Sequence, residues 1–263
     1  MTFFLPDALI FLIGLCIGSF LNVCIYRLPR ENLGVGNPKR SMCPNCGTQL
    51  HFYENIPLIS YIFLMGKCRT CKTGISIRYP VVELISACFA LAASLKFGFT
   101  ITGLIYYLLL VSLVVITFID LDFQIIPNII SIPGIVIGFM ASFYLTEISV
   151  QDSLMGILIG GGAFYSIAYI FVTIRGIEGM GMGDVKLLAM LGAFLGFKGV
   201  IFIIFISSIL GTFTGIMVMI QSRSFTFKQK IPFGPFLSIA AMIYIFWGEI
   251  LIYYYVLWLR GYY

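Results

Sequence analysis

The segment ITGLIYYLLLVSLVVITFIDLDFQIIPN, residues 101–128, indicates a helix that crosses a membrane. Residues 101–119 carry no charge, and about 20 consecutive apolar residues are enough to cross the hydrocarbon core of a bilayer. Asp120 follows this run directly, and Asp122 follows two residues later. Charged side chains are costly near hydrocarbon, so carboxyl groups at this position are candidates for a function.

The composition of the whole chain favours the same class of protein. Of 263 residues, 60% are hydrophobic and only 10% are charged, whereas about a quarter of the residues in soluble domains are charged. The sequence therefore predicts a polytopic membrane protein, with membrane lipid as its surroundings. The net charge of +5 is modest, and membrane topology explains the basic residues better than a nucleic-acid partner does.

The apolar runs predict an all-α fold with about eight transmembrane segments. They cover residues 7–26, 80–96, 101–119, 129–146, 154–174, 185–197, 199–220 and 234–259. Segment 185–197 is short, because its 13 residues give a helix of about 20 Å against a hydrocarbon core of about 30 Å. It cannot span upright unless the bilayer thins or its flanks are drawn inward. The glycine pairs four residues apart are interpreted as helix-packing positions: Gly14/Gly18, Gly192/Gly196 and Gly211/Gly215.

The distribution of Lys and Arg predicts the orientation. Asp7 precedes the first apolar run and Arg27 follows it, so we expect a retained first helix with its N-terminus outside. The loops then assigned to the inside hold thirteen of the sixteen basic residues. These loops are residues 27–79, 120–128, 175–186 and 221–233.

One loop is as large as a small domain, and it carries a metal-binding pattern. We expect the chain to divide into a first transmembrane helix (1–27), a polar cytosolic domain (28–79) and a membrane-embedded aspartic protease domain (80–263). Residues CPNC and CRTC form two CxxC pairs separated by 21 residues, which is typical of a zinc site: Cys43, Cys46, Cys68 and Cys71. Four thiolates leave no open coordination position, so a structural role for zinc is expected.

Two of the carboxyl groups are candidates for acting together. Asp184 follows a glycine-rich run, 176–183, and begins a helix on the same side of the membrane as Asp120. Asp120 and Asp122 are two residues apart and point to different faces of a helix. One of them is therefore expected to meet Asp184.

A carboxyl pair has several possible uses. Two carboxyl groups held together share a proton, so one can activate water while the other protonates a leaving group, as in aspartic proteases. Alternatively, the aspartates cap helices or form a proton relay in a transporter. A proton-coupled transporter would predict inverted repeats and carboxylates at midplane, which the sequence lacks. A membrane scaffold that binds a partner through its zinc loop would leave Asp120 and Asp184 replaceable by Asn.

Long motifs give the sequence a family resemblance. It resembles the type IV prepilin peptidases, membrane aspartic proteases of the GxGD type found in bacteria. The resemblance runs nearly end to end. It is carried by GSFLNVCIYRLP (18–29), the cysteine pairs, NIPLISY (55–61), GKCRTCKTGISIRYPVVE (66–83), FIDLDFQIIPN (118–128), GMGDVKLLA (181–189) and PFGPFL (232–237).

This resemblance implies a function and a location. It implies cleavage of the leader of type IV prepilins or pseudopilins, substrates with a hydrophobic N-terminal helix, at the cytosolic face of the bacterial inner membrane. It implies that Asp120 and Asp184 are catalytic, and that Asp122, the second acid of its motif, is not. It also implies N-methylation of the new N-terminus from S-adenosylmethionine, an activity linked to the cysteine-bearing loop, with protease activity alone as the alternative.

The residues themselves do not identify a methyl-donor site. The sequence has no GxGxxG motif after a strand, so a conventional nucleotide-binding fold is not expected. Glu54, Arg78 and Glu83 are charged residues in or beside the loop, and an ordinary solvated or interfacial role suits them as well as contact with a methyl donor. His51, the only histidine, is interpreted as an ordinary loop residue.

Overall fold

The structure, a computed structural model, describes residues 4–30, 33–38, 40–175, 181–222 and 231–259. Within these residues the regular elements are helices, and the extended backbone is limited to isolated bridges. The helices are α1 (Phe4–Arg27), α2 (Ile59–Phe63), α3 (Arg78–Phe97), α4 (Ile101–Phe123), α5 (Asn128–Ala141), α6 (Val150–Ile157), α7 (Phe164–Arg175), α8 (Met182–Ser222) and α9 (Gly234–Leu259). A 3₁₀ turn covers Phe52–Asn55, and a π-helical turn joins α6 to α7.

The helices confirm the all-α membrane fold and refine its segments. Six stretches of the described chain are long and apolar enough to cross a membrane. They are Pro6–Arg27, Arg78–Phe97, Ile101–Phe123, Val150–Ile174, Met182–Ile220 and Gly234–Leu259. Each of the eight predicted segments contains helix. Segment 129–146 is helical only to Ala141, so α5 is shorter than a span, segment 154–174 covers the end of α6, the π-helical turn and α7, and segments 185–197 and 199–220 are the two halves of α8. The halves meet at Gly196, whose φ of 69° and ψ of −179° break the helix.

The chain divides into two compact units, residues 1–119 and 120–263, and the division falls within α4. In the first unit α1 packs along α3. A Cβ added to Gly14 would lie 2.6 Å from Cα of Ala87, and one added to Gly18 would lie 2.5 Å from Cα of Glu83. The interpretation of this glycine pair as a packing position is confirmed.

The second unit is built around the first half of α8. Its residues from 185 to 195 are buried except for the half-exposed Lys186, and α5, α6, the π-helical turn and α9 pack against α8. At the crossing with α6, a Cβ on Gly192 would lie 2.2 Å from the carbonyl oxygen of Gly156. Because this short helix is enclosed by protein, its length does not have to match the thickness of the hydrocarbon core.

The loop 28–79 is attached to the helices on either side of it. The buried Arg27 donates to the carbonyls of Val35 and Pro38, at 2.8 Å each. Asn22 of α1 donates a 3.0 Å hydrogen bond to the carbonyl of Tyr79, near the start of α3. The Arg27 bonds fix the start of the loop, and the Asn22 bond joins α1 to its end.

Candidate active site and metal centre

Asp120 lies in the last turn of α4, where the chain leaves the helix. The helix ends at Phe123 because Gln124 adopts a left-handed conformation with φ of 54°, as residues just after a helix often do. The side chain of Asp120 is buried, and its Oδ2 accepts a 2.9 Å hydrogen bond from the backbone amide of Gly234. Gly234 is the first residue of α9, and the first amides of a helix have no partner within it. Asp120 therefore caps α9, and the cap fixes the orientation of its carboxyl group.

The contact between Asp120 and α9 requires glycine at position 234. A Cβ at this position would lie 2.6 Å from Oδ2 of Asp120, closer than any ordinary non-bonded contact. Gly234 belongs to the motif PFGPFL (232–237), and the sequence alone predicted no role for it. Its role depends on a backbone amide, which no side-chain pattern reveals.

Asp184 is the third residue of α8, and its side chain is partly exposed. The neighbouring Gly183 packs on the segment that follows α4. A Cβ added to Gly183 would lie 3.0 Å from Cβ of Ile126. Lys186 Nζ donates a 2.9 Å hydrogen bond to Oδ1 of Asn128. Two contacts therefore join GMGDVKLLA to FIDLDFQIIPN.

The same packing places Asp120 and Asp184 on neighbouring segments. The two carboxyl groups are near enough to interact electrostatically. Asp122 is exposed while Asp120 is buried, as expected for residues on different faces of one helix. Of the glycine-rich run before Asp184, residues 176–180 lie outside the described residues. Gly181 is described, and a Cβ there would lie 3.2 Å from Oδ2 of Asp184.

The four loop cysteines form a cluster with the dimensions of a metal site. Their Sγ atoms all lie within 4.8 Å of one another: Cys43, Cys46, Cys68 and Cys71. Cys43 Sγ lies 3.8 Å from Cys71 Sγ, and Cys46 Sγ lies 4.0 Å from Cys68 Sγ. A tetrahedral zinc ion with Zn–S bonds of about 2.3 Å requires S···S distances of about 3.8 Å. The donor set therefore fits a metal ion closed on all four sides by protein.

The two CxxC pairs share one backbone design. In each, the first cysteine donates its amide to the carbonyl of the residue five positions later, Thr48 for Cys43 and Thr73 for Cys68, at 2.9 and 2.8 Å. The residue after the second cysteine then turns left-handed, with φ of 69° at Gly47 and 58° at Lys72. The two pairs therefore form a short structural repeat, defined by its backbone hydrogen bonds and turns.

We call each CxxC pair with the turn that follows it a knuckle. In both knuckles a threonine hydroxyl lies close to the second cysteine. Thr48 Oγ1 lies 3.3 Å from Cys46 Sγ, and Thr73 Oγ1 lies 3.4 Å from Cys71 Sγ. Hydrogen bonding by Thr48 lowers the pKa of Cys46, and hydrogen bonding by Thr73 lowers the pKa of Cys71 to about 5. Although a backbone hydrogen bond from Cys46 lowers the pKa of Cys43, burial and neighbouring thiols raise it to about 11 overall. The thiolate is the form of cysteine that binds metal, so the second cysteine of each pair is prepared as a ligand.

The other charged residues near the loop have structural partners. Glu54 forms a 3.0 Å ion pair with Arg69 and accepts a 2.7 Å hydrogen bond from the amide of His51. Arg78 lies over the ring of Phe118, with its guanidinium carbon 5.3 Å from the ring centre. Glu83 is buried in α3, and its Oε2 accepts a 2.8 Å hydrogen bond from the amide of Leu58. Glu54 and Glu83 are therefore buried and hydrogen-bonded, and the ordinary solvated role expected for them is wrong.

Comparison with known proteins assigns the chain to a family. Residues 12–97 match the Bacterial Peptidase A24 N-terminal domain, and residues 107–216 match the Type IV leader peptidase family. A prepilin leader peptidase/N-methyltransferase of Pseudomonas aeruginosa is 39% identical over 259 residues, covering 90% of this chain and 89% of that protein. The chain belongs to the type IV leader peptidase family. The predicted family resemblance is thereby confirmed.

Further relatives of the chain carry the same name. A prepilin leader peptidase/N-methyltransferase of Aeromonas hydrophila is 37% identical over 264 residues, covering 92% of this chain and 91% of that protein. One from Burkholderia pseudomallei is 34% identical over 262 residues, covering 90% and 84%. No solved structure matches the chain.

Proposed function

We propose that this protein cleaves the leader peptide of type IV prepilins or pseudopilins with Asp120 and Asp184, and then N-methylates the new N-terminus. The observation that supports the catalytic pair is the contact of its two motifs, through Gly183 on Ile126 and Lys186 on Asn128. The name shared by full-length relatives supports both activities.

The proposed cleavage uses the two carboxyl groups as base and acid. One carboxylate accepts a proton from water as the water oxygen bonds to the peptide carbonyl carbon. The other carboxyl group donates its proton to the leaving nitrogen as the carbon–nitrogen bond breaks. No histidine and no nucleophilic side chain is required. The Gly234 amide holds the Asp120 carboxyl group in one orientation while the substrate is positioned.

We place the reaction at the cytosolic face of the bacterial inner membrane. If the N-terminus lies outside, thirteen of the sixteen basic residues lie in the loops on the cytosolic side. The substrate is itself an apolar helix with a short leader, and its cleavage site emerges where α4 ends and α8 begins. Residues 28–79 form the cytosolic domain in this topology, between the first helix (1–27) and the membrane-embedded part (80–263).

The cysteine cluster and the methyl donor complete the proposal. We assign zinc to Cys43, Cys46, Cys68 and Cys71, where it would join the two knuckles and leave no position for substrate. S-adenosylmethionine would supply an electrophilic methyl group to the new terminal amine. We assign no residues to the methyl donor, because none of the described residues forms a recognisable nucleotide-binding loop.

The experiment that tests the catalytic pair uses purified protein in proteoliposomes with a prepilin. Asp120→Asn and Asp184→Asn should each abolish cleavage while the protein still inserts and folds. The double variant should cost little more than either change, because both act in one step. Asp122→Asn is the matched control and should keep most activity. Equal loss at Asp122, or full cleavage by Asp184→Asn, would contradict the assignment.

Mass measurement of the mature N-terminus in the same assay separates the two activities. A Cys43→Ser variant should lose at least as much methylation as cleavage if the loop carries methyl transfer. Wild-type protein that releases only unmethylated product, with donor present, would support the protease-only alternative.

A further inference from the structure

The polar loop carries a row of exposed apolar side chains. We call it the apolar ridge, and it consists of Phe52, Ile59, Ile62, Phe63 and Met65. Phe52, Phe63 and Met65 each expose more than four-fifths of their surface, at 86%, 82% and 83%. Several large apolar side chains exposed within one short segment suggest a surface that contacts something other than water. The metal site and the proposed catalytic pair use none of them.

A hydrogen bond fixes the depth of the ridge relative to the membrane. Helix α3 supplies a 20-residue candidate span that begins at Arg78, and such a helix is about as long as the hydrocarbon core is thick. Glu83 lies five residues beyond Arg78, or about 7.5 Å along the helix. Its Oε2 holds the amide of Leu58, the residue before α2, at 2.8 Å. The start of α2 therefore lies beside the first two turns of this candidate span, at the depth of the membrane interface.

The backbone around the apolar ridge has its polar groups hydrogen-bonded, as a position within the membrane interface requires. Irregular backbone within a membrane requires partners for its polar groups. The amides of Ser60, Ile62 and Leu64 donate to carbonyls four residues earlier, at 3.0–3.1 Å. Ser60 Oγ donates a 2.7 Å hydrogen bond to the carbonyl of Ile56. Leu58, whose φ of 58° takes it out of the helix, gives its amide to Glu83. The polar backbone is thus paired internally, while the apolar side chains face outward.

The charge of the loop matches the surface of an anionic bilayer. Residues 28–79 contain seven Lys and Arg residues but only two acids. Glu54, the acid among the described residues of the loop, is paired with Arg69. Arg40, Lys67 and Lys72 are exposed, and basic side chains beside a membrane are each attracted to anionic lipid by about 1 kcal/mol.

From these observations the geometry points to a second membrane contact: the apolar ridge inserts into the lipid leaflet on the loop's side of the bilayer. Its depth agrees with the roughly 5–10 Å by which in-plane amphipathic segments enter the boundary of headgroups and acyl chains. The segment from Phe52 to Met65 is then an interfacial anchor, and the cysteine knuckles that flank it are held at a fixed height above the membrane.

The test places single tryptophans in the full-length protein. Trp247 and Trp258 are replaced by Phe, and Phe63→Trp or Thr70→Trp is added. Thr70 is an exposed residue between Cys68 and Cys71 and serves as the matched control. Each protein is reconstituted into liposomes of lipids brominated at a shallow acyl-chain position. Fluorescence from position 63 should be quenched at least several-fold more by brominated lipid than fluorescence from position 70. Iodide in the buffer should show the opposite preference.

Two results would overturn the inference. One is a tryptophan at position 63 that iodide quenches as strongly as position 70 and that brominated lipid leaves unchanged. The other is lipid-like protection of position 63 only after prepilin is added, which would make the ridge a substrate surface. If the double Trp→Phe background fails to fold, a photocrosslinking amino acid at position 63 of the otherwise unchanged protein replaces the fluorescence. Crosslinks to lipid without substrate support the inference, and crosslinks to substrate alone contradict it.

Discussion

The amide of Gly234 and the Oδ2 atom of Asp120 are joined by a 2.9 Å hydrogen bond, so the start of α9 meets the end of α4 at one carboxyl group. A methyl group at position 234 would lie 2.6 Å from that oxygen and would push the carboxyl group aside. We expect Gly234→Ala to reduce cleavage by roughly 100-fold, since a misplacement of about 1 Å can have that effect. The measurement is the initial rate of prepilin cleavage in proteoliposomes.

Gly162→Ala is the matched control for this substitution. A Cβ at Gly162 meets nothing within 4 Å, so cleavage by this variant should equal that of the wild type. Wild-type activity in Gly234→Ala would mean that the position of the Asp120 carboxyl group is unimportant for cleavage.

Thr73 supports the second cysteine knuckle. Its hydroxyl lies 3.4 Å from Cys71 Sγ and accepts a 2.9 Å hydrogen bond from Asn45 Nδ2. We expect Thr73→Val to weaken zinc binding by about 10–100-fold, the usual effect of removing a partner of a metal ligand. Competition with a chromophoric chelator measures this change. Thr70→Val, at an exposed position in the same knuckle, should leave affinity unchanged, and equal affinities in the two variants would contradict the role of Thr73.

The proposed topology places the loop 28–79 in the cytosol. A cysteine introduced at Asn37 should resist an impermeant thiol reagent added outside intact spheroplasts. A cysteine at Thr146, an exposed residue between α5 and α6, should react under the same conditions. The measurement is labelling of each variant against the unmodified chain, because seven native cysteines are present. Reaction at position 37 but not at position 146 would reverse the orientation.

Glu83 attaches the start of α2 to α3. Glu83→Ala leaves the amide of Leu58 without its partner, and an unpaired buried donor costs about 1–3 kcal/mol. We therefore expect faster proteolysis within residues 52–65 of Glu83→Ala in detergent. Glu83→Gln keeps an oxygen that can accept the bond and should be cleaved at nearly the wild-type rate. Proteolysis that is unchanged in Glu83→Ala would show that this bond does not hold the segment in place.

Much of the fold could be predicted because a bilayer restricts the possible structures. Runs of apolar residues long enough to span must form helices, so each of the eight predicted segments contains helix in the structure. The packing could not be predicted in the same way. Gly192 and Gly196 had the same spacing as the other glycine pairs, yet Gly192 is a contact point with Gly156 while Gly196 breaks α8. The difference lies in backbone angles that glycine permits but does not require.

The candidate site, too, could be predicted only in part from the sequence. The spacing of Cys43, Cys46, Cys68 and Cys71 predicted a cluster that the structure contains, because metal ligation fixes both residue type and spacing. The partner of Asp120 could not be predicted, since it is the backbone amide of Gly234, 114 residues away. Likewise, Lys186 and Asn128 carry no pattern that pairs them, although they join the two aspartate motifs.

The crossing of Gly156 and Gly192 also has a pharmacological consequence. Each glycine lies so close to the backbone of the other that no atom fits between α6 and the first half of α8, the helix that carries Asp184 at its start. A small molecule that forced these helices apart would displace Asp184 without touching either carboxyl group. Such an inhibitor would be non-competitive with prepilin.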